Sequence, residues 1–176
     1  SEKSIKGLSS IVSMKPNKSD FLIINQENIQ NMHAEISNAA GIILDLSSMP
    51  TMNPLVLDGL LVAIRAISLR LIPIILRDGL GRVDSLHRFG KNHPIQGVIV
   101  DLMDLSGLHA ASCLPKIGRS IIESKLDSSS CPTFISIPWD ASSTDILIAR
   151  ACGAAGIICP AGKKQKLLQI KSIMNL

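Results

Sequence analysis

The sequence predicts an α/β protein built on a parallel sheet, and three observations carry that expectation. Residues 41–49 read Gly-Ile-Ile-Leu-Asp-Leu-Ser-Ser-Met, and residues 97–105 read Gly-Val-Ile-Val-Asp-Leu-Met-Asp-Leu. Each is an unbroken apolar run closed by one carboxylate, Asp45 or Asp101. A run without polar alternation suits a strand buried on both faces of a parallel sheet. A charge at its end suits the carboxyl edge, where open α/β folds place their sites. The other role for such an aspartate is to cap the next helix or close a turn. Second, from residue 41 onward, apolar runs and amphipathic stretches alternate five times. Right-handed crossovers then leave little besides a parallel sheet with helices on both faces. Third, the 176 residues are 46% hydrophobic but only 2% aromatic, so the core is aliphatic. Aliphatic layers fit this architecture better than a sandwich or barrel built on large rings.

Residues 1–40 are expected to form an N-terminal extension. They are polar at first, with a short strand at 8–14 and a breaker at Pro16–Asn17. A strand over 21–25 and a helix over 26–39 follow, the helix carrying Ile29, Met32 and Ile36 at helical spacing. The domain proper spans 41–176. Strand 41–46 leads through a Ser/Pro/Asn-rich loop to a helix over 55–69, with Leu57, Leu60, Leu61, Ile64 and Ile67 on one face. Next come strand 71–76, a helix near 82–90 and strand 97–102. A helix over 109–125 is expected to be kinked, or started late, by Pro115. Strand 133–137 ends before Pro138, and helix 143–152 opens at a Ser-Ser-Thr-Asp cap. Strand 156–159 and a basic helix over 163–174 close the chain. Five strands in about 135 residues is the size of a flavodoxin-like, doubly wound five-stranded sheet of order 2-1-3-4-5. A TIM barrel needs eight such units, more than this chain supplies. Ile43, Ile99 and Ile135 are expected inside the sheet, with Asp45 and Asp101 emerging at one edge.

Composition narrows the function. A net charge of +4 with no Lys/Arg run gives no phosphate-binding arm, and scarce aromatics argue against stacking on bases, so no nucleic-acid partner is expected. Cys113, Cys131, Cys152 and Cys159 form no CxxC pair and read as buried thiols in a reducing compartment. The opening Ser-Glu-Lys-Ser-Ile-Lys is no signal peptide, and no apolar run is long enough to span a bilayer. A cytoplasmic segment without membrane contact is expected, including the case of a domain excised from a membrane-anchored protein. His33, His87, His93 and His109 are scattered; His87, Arg88, Lys91 and His93 read as a solvated basic cluster. Gly79 and Gly81 read as a flexible loop, and no nucleophile elbow, P-loop or dinucleotide fingerprint is found.

Residues 97–176 resemble the second half of a response-regulator receiver domain. Val98-Ile-Val-Asp-Leu-Met-Asp-Leu-Ser-Gly107 is similar to its third strand, with Asp101 at the phosphoacceptor position. Cys131-Pro-Thr-Phe-Ile-Ser-Ile137 is similar to its fourth strand, and Ala151-Cys-Gly-Ala-Ala-Gly-Ile-Ile-Cys-Pro160 to its entry to the fifth. Gly41–Ser47 falls where the first strand belongs. The resemblance implies an acidic pair and a phosphoacceptor around Mg2+, assisted by a hydroxyl residue and a lysine. This chain departs from that set. Leu46 follows Asp45 where a second acid would stand, and Ile137 is the closer match to the hydroxyl position, with Ser136 one residue earlier. Cys159-Pro160 take the lysine's place, and Lys163 comes late. The pattern implies a degenerate receiver, a pseudo-receiver without enzymatic activity, acting by protein–protein interaction within a larger two-component or hybrid sensor protein. Its partners would be a histidine kinase, an output domain or a second copy in a homodimer. No cofactor is expected. The alternative is a Mg2+-dependent phosphoacceptor receiver or a small α/β enzyme using Asp45 and Asp101. Its metal ligands would be Asp45, Asp101 and Asp104, since Mg2+ prefers carboxylate oxygens.

Overall fold

A computed structural model describes residues 20–158 except Leu69, Ser106 and Trp139, with Gly107 and Leu108 described by their backbone alone. The expected strand at 8–14 and the basic helix at 163–174 lie outside the described residues. The chain divides into two compact units; among the described residues these are 20–77 with 94–96, and 78–93 with 97–158.

In the first unit, β1 (Phe21–Ile24), β2 (Gly41–Asp45) and β3 (Ile74–Gly79, its last two residues belonging to the second unit) pair in parallel and in chain order. Leu22, Ile24, Ile42, Leu44, Ile74 and Leu76 fall on one face and are fully buried. The connections are α1 (His33–Asn38) and α2 (Pro54–Ser68), which pack on each other. The α2 start is set by Asn53-Pro54. The Asn53 side-chain oxygen accepts from the Leu55 amide at 2.9 Å, and proline stands at the first helical position, where its missing N–H costs no bond. Leu57, Leu60, Leu61 and Ile64 are buried on the inner face, as the spacing predicts, and Ile67 is half-buried.

In the second unit, β4 (Gly97–Asp101), β5 (Thr133–Ser136) and β6 (Gly156–Ile158) are again parallel and in chain order. Here α3 (Val83–Asn92) packs on α4 (Gly107–Ser124), and α4 on α5 (Ser143–Ala151). Helix α4 runs through Pro115 as one element, neither broken nor started late. Helix α5 opens on a full capping box: Ser142 Oγ accepts from the Asp145 amide at 3.2 Å, and the Asp145 carboxylate accepts from the Ser142 amide at 2.6 Å. It closes at Gly153, whose φ of +96° belongs to a left-handed C-terminal turn.

The α/β class and the parallel pairing are as expected, and Ile43, Ile99 and Ile135 are buried. Strand number and winding differ. There are six strands among the described residues, because 21–24 is a sheet member. The order 2-1-3-4-5 would place strand 97–102 beside strand 41–46. Instead β1 and β3 occupy the two edges of β2. Right-handed crossovers between strands paired in chain order put successive helices on the same face, so each unit is wound from one side rather than two.

The glycines that begin the repeated strands have a packing reason. A Cβ on Gly41 would collide with the Phe21 ring on the neighbouring strand. Phe134 on β5 lies over both its neighbours: a Cβ on Gly97 would come within 3.1 Å of its ring and of the Pro132 carbonyl, and one on Gly156 within 2.9 Å of the ring. Two of the chain's few aromatics thus cover three strand starts.

Candidate functional site at the strand carboxyl ends

In the first unit, Asp45 stands at the end of β2, in register with Arg77 on β3. Residues in register on adjacent parallel strands share a face about 4.8 Å apart, within reach of an arginine. Arg77 Nη1 lies 3.6 Å from Asp45 Oδ2. The other carboxylate oxygen accepts from the Ser47 amide at 2.9 Å, closing a turn. Both side chains are partly exposed, so the pair contributes little to stability, of order 0–1 kcal/mol. Leu46, where the receiver pattern places a second acid, is in the core.

In the second unit, Asp101 ends β4 in register with Ser136 on β5. Asp101 Oδ1 accepts from the Met103 amide at 3.0 Å, a turn like that of Asp45. Ser136 is buried and shares the face of Asp101, so the register brings a hydroxyl residue, and not Ile137, opposite the aspartate. Asp104 is exposed in the following turn. Asp78 is buried at the end of β3; its Oδ1 accepts from the Gly79 amide at 2.7 Å and pairs with Arg82 at 2.9 Å. The segment read as a flexible glycine loop is therefore a strand end leading into a helical turn at Leu80–Arg82.

Among the described residues no group of three or more His, Cys, Asp or Glu side chains could hold a metal ion. Asp45 belongs to the first unit, Asp101 and Asp104 to the second.

His87 is not in a solvated basic cluster. It is fully buried on α3, with Nδ1 2.8 Å from Ser120 Oγ and Nε2 3.3 Å from Thr133 Oγ1. Burial drives its pKa down from 6.5 to about 4, against the opposing pull of Asp84. A neutral imidazole donates through one nitrogen and accepts through the other, so two hydroxyls satisfy it. The spacing Val83, Leu86, His87, Gly90 is the sequence signal that places it on the apolar stripe of the helix. The His93 ring packs tilted against Phe89, with centroids 5.1 Å apart, and His109 is exposed in the first turn of α4. Burial raises the Cys131 thiol to about 11, which leaves it protonated and unreactive at neutral pH. Among the described residues no helix is long and apolar enough to cross a membrane.

No protein-family model matches the chain, and no curated protein or solved structure matches it at a significant level.

Proposed function

We propose that the chain is a degenerate receiver-like signalling module that works by protein–protein interaction rather than by phosphoryl transfer. The observation that carries this reading is the state of Asp45. Its carboxylate faces the Arg77 cation and the Ser47 amide, while Leu46 beside it is core. Mg2+ gives up its waters only to strong oxygen ligands. A carboxylate already balanced by a guanidinium, with no second acid next to it in the chain, is a weak start for such a site. The resemblance spans 41–176; in its second half, the third to fifth strands of a receiver adjoin in chain order, as β4, β5 and β6 do. The pairing of β2 with β1 and β3 departs from a complete receiver. Membership of a larger cytoplasmic two-component or hybrid sensor protein is part of the same proposal.

One observation favours the second reading, a phosphoacceptor at Asp101. Ser136 stands opposite it, as a donor to a phosphoryl oxygen would. Intact mass after incubation with an acyl-phosphate donor and millimolar Mg2+ separates the two. The proposal expects an unchanged mass in the native chain and in Asp101→Asn. A stoichiometric phosphoryl gain that disappears in Asp101→Asn would establish the second reading instead.

A further inference from the structure

His87 ties three elements of the second unit together. It stands on α3, and its two ring nitrogens reach Ser120 on α4 and Thr133 on β5. Both hydroxyl residues are buried, and among the described residues neither hydroxyl has a second hydrogen bond. The seat beneath the helix is close. A Cβ on Gly90 would come within 3.0 Å of Val98 and 3.1 Å of Cys131 Sγ, so α3 covers that thiol directly. Residues 78–93 are held to this unit by packing more than by the chain, because residues 20–77 before them and 94–96 after them belong to the first unit.

We propose that His87 is an acid-sensitive latch: protonation of its ring releases α3 from α4 and from the strands beneath, and uncovers Cys131, while the rest of the unit stays folded. A neutral imidazole accepts a proton from one hydroxyl and donates one to the other. An imidazolium donates from both nitrogens, so both hydroxyls must accept. The hydroxyl that had donated keeps a buried proton without an acceptor, and the new charge is held away from water. Moving α3 outward hydrates both. The surrounding charges do not offset this. On α3 the exposed Asp84 favours the protonated ring, but burial outweighs it and the native pKa falls to about 4. Arg88 and Lys91 on the same helix are exposed cations, as are Lys116 and Arg119 on α4, where Glu123 is the exposed acid. The turn before α3 offers Arg82, which is held by Asp78. The one charge on β4 is Asp101 at its end, and the Cys131 thiol before β5 stays protonated, with a pKa of about 11. Opening returns His87 to its ordinary 6.5, so the open form gains on the closed one by up to about tenfold per pH unit as pH falls from 6.5 toward 4.

The test is thiol labelling of the 176-residue chain by a pyridyl disulfide, a reagent that stays active in acid, with the sites mapped by peptide mass spectrometry. Cys113, half-buried on α4, is the internal reference, so the reagent's own pH dependence cancels in the ratio of the two rates. Between about pH 6.5 and about pH 4.5 the rate at Cys131 relative to Cys113 should rise roughly tenfold or more. In His87→Gln the ratio should stay flat, because the amide bridges two hydroxyls and carries no titrating proton. Amide exchange of the native chain, corrected for intrinsic rates, gives a second reading that needs no variant. Protection of Val83–Asn92 should fall with pH while that of Ser143–Ala151, in the same unit, holds. A constant Cys131 ratio in the native chain, an equal rise in His87→Gln, or loss of protection in α3 and α5 together would overturn the inference.

Discussion

Burial of His87 between two hydroxyls makes the stability of the fold depend on pH. The native pKa of about 4 lies below the value of 6.5 expected in the unfolded chain. Between these values the unfolded state binds the extra proton, so stability rises with pH there. The contribution is complete above pH 6.5 and is lost as pH falls toward 4, a span worth roughly 3 kcal/mol. Urea unfolding of the native chain and of His87→Gln across this window checks it: the native chain should lose stability on acidification faster than the variant, and parallel curves would contradict the burial. The side chain was legible by spacing, on the stripe of Val83 and Leu86, yet its basic neighbours Arg88, Lys91 and His93 gave the opposite reading. Charge in a short window reports composition; the helical period reports the face. Asp45 and Asp101 were legible as strand-end carboxylates. Their partners were not, because Arg77 and Ser136 are brought opposite them only by register, which a single strand does not encode.

At the scale of the element, β3 shows why a site residue can be missed. The run Leu71-Ile-Pro-Ile-Ile-Leu76 reads as the strand, but Leu71 is 93% exposed and pairing starts at Ile74. Gln96 fixes that start, its side-chain oxygen accepting from the Ile74 amide and its own amide donating to the Ile74 carbonyl, each at 2.8 Å. The shift carries Arg77 and Asp78 from an expected loop to the strand end. Helix α4 ends in a turn that composition does not announce. Lys125 takes a φ of 53°, with its amide donating to the Ile122 carbonyl at 3.1 Å and the Leu126 amide to the Ile121 carbonyl at 3.3 Å. Leu126 and Ile121 are both buried beside it, the apolar contact that accompanies such a turn. Left-handed backbone costs a non-glycine residue about 1 kcal/mol. Lys125→Gly should therefore raise stability by about 0.5–1 kcal/mol, read as a higher urea midpoint at unchanged slope. A lowered midpoint would mean that the lysine is held there by contacts of its own.

At the scale of the whole chain, class and winding separate cleanly. Unbroken apolar runs at regular spacing encode a parallel sheet with helical crossovers, and that much was legible. Strand order was not, because one-sided and two-sided winding use the same runs and the same helices. The difference lies in which strand occupies each edge of β2, and the answer depends on Phe21–Ile24, which the polar stretch before it made look like an appendage. Strand β2 lies between β1 and β3, which puts Asp45 opposite Arg77. Interstrand nuclear Overhauser contacts from the β2 backbone test it most directly. The expected result is contacts from Ile43 to Ile23 on one side and to Ile75 on the other. Contacts from Ile43 to Ile99 would instead place strand 97–101 beside β2, as a complete receiver requires, and would contradict the account.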